Sequence, residues 1–155
     1  MKGGKVLVDY EINRETLALI PSAENITKVL ELNNEYTIKK GVNKIMESSC
    51  EFFGSSLIGR QKGTTKLIGV THKAPVIIEE TEEIIFFPTT SPRLSICSWI
   101  SLKNIEKYYQ ENNKMVIAFR NGSKVELDIS YGVLDNQILR ATRLESVLRS
   151  RKQKL

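Results

Sequence analysis

The stretch Met115-Val-Ile-Ala-Phe119, Asn121-Gly122, Lys124-Val-Glu-Leu-Asp-Ile129 constrains the fold more than any other part of the chain. Two apolar-rich runs flank an Asn-Gly pair, the preferred sequence for a type I′ turn, so the segment predicts a β-hairpin. A chain holding it needs an antiparallel sheet to complete it, and other segments supply candidate strands. Lys28–Leu32 and Glu35–Lys39, split by Asn33-Asn34, read as a second hairpin. Lys5–Ile12 and Thr16–Ile20 flank the polar turn Asn13-Arg14-Glu15 and predict an antiparallel pair. Thr65–Thr71, Pro75–Glu79, Glu83–Pro88 and Ile96–Ser101 also have strand character. Trp99, in the last of these, reads as core rather than as a base-stacking platform. Asn104–Gln110 fits a short helix or a strand, because Ile105, Tyr108 and Tyr109 satisfy neither period well.

The period changes to that of a helix in two places. Val42, Ile45, Met46, Ser49 and Phe53 fall at helical spacing, and Gly54 is placed to end that helix as a C′ glycine. From Val133 to Lys152, Leu134, Ile138, Ala141, Leu144 and Leu148 share one face. Arg140, Arg143, Arg151 and Lys154 line a different stripe of that helix, and Arg149 points away from it. The expected fold class is α+β: a mostly antiparallel, curved sheet with a barrel-like core, one short internal helix and an amphipathic C-terminal helix. At 155 residues the chain is expected to form one domain, 1–155, with a core that needs no disulfide staples.

Composition narrows the chemistry. Hydrophobic residues make up 41% of the chain, which is globular, and 23 Lys and Arg against 18 acids give a formal charge of +5. That balance suits a polyanionic partner without proving one. The chain has no apolar leader and no run of 18 apolar residues, so the expectation is a soluble, unexported, cytoplasmic protein with reduced thiols. Cys50 and Cys97 lie far apart with no CxxC spacing, and His72 is the only histidine. Neither a metal site nor a cofactor is expected from them. Any Ser/His or Cys/His catalytic arrangement would have to use His72, which sits in a positive stretch with no nucleophile elbow before it. The chain reads as a binder with no catalytic residues.

The binding residues are sought first in Cys50-Glu-Phe-Phe-Gly-Ser-Ser-Leu-Ile-Gly-Arg-Gln-Lys-Gly-Thr64. Gly54 and Gly59 have half of the P-loop spacing, but Arg60-Gln61 stands where that motif requires Lys followed by Ser or Thr. A nucleotide loop is excluded on that ground. Read instead as a flexible basic loop, the stretch offers Arg60 and Lys62 to nucleic acid, since a Gly-flanked Arg can enter a narrow minor groove. An ordinary Gly-rich connection with solvated cations is the plain alternative. Lys66, Lys73 and a second lone Arg, Arg93, are further candidates, and Arg140 and Arg143 on the C-terminal helix form a solvated basic face or one that could touch backbone phosphates or, as a lesser alternative, a membrane surface. Glu79, Glu80, Glu82 and Glu83 form an acidic cluster read as a solvated turn, or as a surface that repels DNA or attracts a basic patch on a partner.

Taken in order, several motifs resemble one family. Ser49-Cys50, Phe52-Phe-Gly-Ser-Ser56, Gly59-Arg60 and Gly63-Thr64 form its central signature. His72-Lys73-x-Pro75, Phe87-Pro88-Thr89 and Trp99-Ile100-Ser101 follow, then Phe119-x-Asn121-Gly122, Ile129-Ser130-Tyr131 and Asn136-Gln137 with Arg140. The chain is similar to ComK, the competence transcription factors of Bacillus and related low-GC Gram-positive bacteria. The resemblance implies a cytoplasmic, nucleoid-associated activator of late competence genes that binds double-stranded A/T-rich boxes through the minor groove. It implies dimers that associate into tetramers, with RNA polymerase and an adaptor–protease system as partners and no membrane. It does not say which residues touch DNA; those rest on charge and loop flexibility. Longer relatives carry a C-terminal segment associated with activation and regulated proteolysis, and this sequence stops soon after its basic helix. The alternative expectation is therefore a truncated paralogue acting as a protein-interaction module without full activation.

Overall fold

The computed structural model describes residues 4–155. Its elements are β1 (Lys5–Leu7), β2 (Thr16–Ala23), β3 (Ile26–Glu31), β4 (Glu35–Ile38), α1 (Val42–Phe52), α2 (Leu57–Ile68), β5 (Val76–Glu79), β6 (Ile84–Pro88), β7 (Trp99–Ser101), β8 (Ile105–Glu111), β9 (Lys114–Phe119), β10 (Lys124–Leu127) and α3 (Tyr131–Lys152). They form a seven-stranded sheet in the order β1-β4-β3-β2-β7-β6-β5 and a three-stranded sheet in the order β10-β9-β8. Among the described residues the large sheet keeps two edges, β1 and β5, so the expected barrel-like closure does not occur.

Alternation along the strands explains the layers. In β6, Ile84 and Phe86 enter one apolar cluster while Ile85 and Phe87 enter another, and all four are buried. A strand covered on both faces reads as a continuous apolar run, as this one does. One face of the sheet packs on α1 through Val42, Ile45, Met46 and Cys50. The opposite face packs on Leu134, Ile138, Ala141, Leu144 and Leu148 of α3 and on the inner face of the small sheet. Trp99 is fully buried in the first cluster, as expected.

Several expectations need correction. Lys5–Ile12 yields only the three residues of β1, which pair with β4 in parallel rather than with β2. The hairpin β9–β10 is present, but Asn121 does not take the left-handed conformation. Only Gly122 does, at φ +93°, so a three-residue loop closes on a Gly bulge. The turn with two left-handed residues is Asn112-Asn113, at φ +53° and +61°, which joins β8 to β9 and settles 105–111 as a strand. Thr65–Thr71 is not a strand: its first half completes α2.

The largest correction is α2 itself. The expected flexible loop is a second internal helix, although Gly59 and Gly63 each disfavour helix by roughly 1 kcal/mol relative to alanine. Its ends and its buried side offset that cost. Ser56 caps the N-terminus by accepting from the Gly59 N–H at 2.9 Å, and Gly69 ends the helix at φ +76°. Thr64 and Ile68 are buried, with the Thr64 hydroxyl donating to the Pro75 carbonyl at 2.5 Å. A Cβ at Gly63 would meet nothing within 4 Å. Gly63→Ala should therefore stabilise the protein by about 0.5–1 kcal/mol, read as a rise in the urea midpoint. A loss of stability would mean that residue 63 is not helical.

Candidate nucleic-acid interface

A cleft of about 390 Å³ opens where three segments meet. Ile58, Gln61, Lys62 and Thr65 of α2 form one wall, residues 71–74 the second, and Ser91-Pro92-Arg93 the third. Lys62, Lys73 and Arg93 thus converge with His72, and no carboxylate is among the lining residues. The larger hollow of about 840 Å³ on the protein surface is lined by Glu24, Glu126 and Asp128 against Lys44. Size favours the second and charge the first for any phosphate ligand. Charge decides, because an acidic lining repels a polyanion whatever its volume.

Each wall is held by specific bonds. Ile58, Lys62 and Lys66 recur at four-residue spacing on the exposed side of α2, so Lys66 extends the cationic face one turn beyond the cleft. Lys73 adopts φ +52°, a left-handed conformation unusual for a side chain with a Cβ. Its carbonyl accepts from Gln137 Nε2 at 2.9 Å, and the same nitrogen donates to the Pro88 carbonyl at 2.8 Å. Arg140 donates to the His72 carbonyl at 2.9 Å and to Gln137 Oε1 at 3.2 Å. The fully buried Gln137 therefore ties α3 to the turn carrying His72 and Lys73 and to the end of β6. On the third wall, Asn43 of α1 donates to the Pro92 carbonyl at 2.8 Å and so anchors the loop bearing the exposed Arg93.

The sequence candidates divide accordingly. Lys62, Lys73 and Arg93 line the cleft, Arg140 is bonded to its rim, and the exposed Arg143 lies three residues further along α3. Arg60 stands apart. It is mostly buried on another side of α2, with its guanidinium 3.0 Å from Glu80. Nothing in the sequence distinguished it from Lys62. Gln61, Thr65, Thr71, Ser91 and Ile58 were missed; helical spacing continued through the two glycines would have found the residues on α2.

The acidic cluster has its partners within this chain. Glu80 holds Arg60, and Glu83 holds Arg149 at 2.6 Å and Lys152 at 3.6 Å. The hydrogen bond from Arg149 is the main cause that keeps the Glu83 carboxyl below its ordinary pKa. These pairs take Arg60, Arg149 and Lys152 out of the pool of free cations and leave the cleft residues in it.

Burial pushes the Cys50 thiol up to about 11 and raises Cys97 as well, so neither is an activated nucleophile. Both lie in the apolar cluster against α1, whereas His72 is exposed in the cleft. Among the described residues no group of three or more His, Cys, Asp or Glu could hold a metal, and no helix is long and apolar enough to cross a membrane.

Comparison with known proteins supplies the context for this cleft. No solved structure matches the chain. The family model described as ComK protein matches residues 7–153. The competence transcription factor of Bacillus subtilis (strain 168) is 32% identical over 149 residues, covering 94% of this chain and 78% of that protein. A match across nearly the whole fold, including every wall of the cleft, places this chain in the ComK family of transcription regulators.

Proposed function

We propose that the cleft grips the backbone of A/T-rich duplex DNA at promoter boxes and that the protein reads those boxes through the minor groove. Binding then activates the late competence genes, those for DNA uptake and recombination. The observation that carries this reading is the convergence of Lys62, Lys73 and Arg93 from three separate segments onto one cleft without a carboxylate. Phosphate contacts of this kind give affinity and orientation but no sequence information. Preference for A/T comes from groove shape: A-tracts are narrow and electronegative, and a cationic cleft without a carboxylate fits that potential. Lys66, Arg140 and Arg143 extend the same cationic surface. Arg60 acts from behind by fastening α2 to the acidic turn. Dimers and tetramers of the chain, acting in the cytoplasm on nucleoid DNA with RNA polymerase and under an adaptor–protease system, complete the proposal.

The test is a binding titration of the full chain at two salt concentrations. A duplex with two phased A/T boxes is compared with a GC-rich duplex of equal length. The expected result is a preference for the A/T duplex of about a hundredfold or more that persists at the higher salt. Equal, salt-sensitive binding to both would reject the shape reading and move the weight to the interaction-module alternative.

A further inference from the structure

We propose that Ile58 is an apolar wedge that enters the minor groove beside the gripped strand and partly unstacks a base step. The inference rests on the duplex-binding reading above and adds the residue that deforms the DNA. Ile58 is the second residue of α2, is 63% exposed, and lines the cleft with Lys62 and Arg93. A lone exposed apolar side chain needs no explanation of its own. Position gives this one a meaning, because it stands one helical turn from Lys62 inside a cationic cleft with no carboxylate. Phe52, exposed to a similar degree at 66%, instead packs edge-to-face on Phe53 and lies outside the cleft.

Isoleucine has nothing to offer a phosphate. What it can offer a duplex is a stiff, branched hydrocarbon, since branching at Cβ restricts χ1. Apolar side chains inserted at the minor-groove edge replace part of the stacking between base pairs, while flanking cations hold the backbone. Lys62 and Arg93 are placed to be those cations. Steps such as TA unstack more easily than the interior of an A-tract, so the wedge should favour A/T boxes that contain a TA step.

The experiment uses the full chain and an A/T-box duplex carrying 2-aminopurine, a base whose fluorescence rises on unstacking, at a TA step. Binding of the unmodified protein should brighten the probe about two- to fivefold, and Ile58→Ser should abolish the rise and weaken binding about tenfold. Ile58→Val, which keeps an apolar side chain branched at Cβ, should retain both effects. The exposed position leaves folding undisturbed, checked by an unchanged urea midpoint. The wedge is overturned if Ile58→Ser brightens the probe as the parent does, or if the parent prefers A/T duplex while the probe stays dark. If the parent shows no preference for A/T over GC, the duplex-binding reading itself falls and takes the wedge with it.

Discussion

Reversing the charge at Lys62 and Arg93 together, Lys62→Glu with Arg93→Glu, should weaken binding to an A/T-box duplex about a hundredfold at near-physiological salt. Each side chain is exposed in the same cleft, on α2 and on the loop after β6, so the two replacements act on one stretch of bound backbone. Losing two phosphate contacts should also reduce the slope of log affinity against log salt by about 2. That slope separates lost contacts from misfolding, which would remove binding without a defined change in salt dependence. Lys44→Glu in the acidic hollow is the matched control and should change affinity less than about threefold. An unchanged salt slope in the double variant would show that the cleft does not carry the DNA.

Gln137→Met should cost about 2–4 kcal/mol of folding stability, seen as a lower urea midpoint at constant slope. Methionine fills nearly the same volume, so the loss comes from polar groups rather than from a cavity. The carbonyls of Lys73 and Pro88 lose their shared donor, and Arg140 loses one acceptor. Each buried group left without a partner costs about 1–3 kcal/mol, less where water can reach it, as at the part-buried Lys73 carbonyl. The turn holding Lys73 in its left-handed conformation would then be free to relax, so affinity for DNA should fall with stability. A midpoint unchanged within error would mean that Gln137 is not the tie between α3 and the cleft.

Gln137 also shows what a sequence reading passes over. It lies on the buried stripe of α3 between Leu134 and Ala141, and a polar residue at such a position signals a satisfied network. The apolar members of that stripe were legible because their spacing is dictated by one helix alone. So were α1, its closing Gly54 at φ +87° and the β3–β4 hairpin. In each case the signal and the structure it specifies lie within a few residues of one another.

Local pattern thus determined most strands, the helices α1 and α3, the cationic balance and, through ordered motifs, the family. Tertiary structure tipped the balance for α2 and alone decided the open sheet and the cleft. Two glycines make α2 a weak helix by propensity, and it stands because Ser56 caps it and Thr64 and Ile68 are buried beneath it. The parallel placement of β1 beside β4 depends on which edge is free, which no window of sequence contains. Lys62, Lys73 and Arg93 are far enough apart in the chain that only packing of α2, α3 and the loop after β6 brings them together. Arg60 shows the same principle in reverse. Two residues from Lys62 in sequence, it is turned by the helix toward Glu80, because neighbours in a helix face different directions.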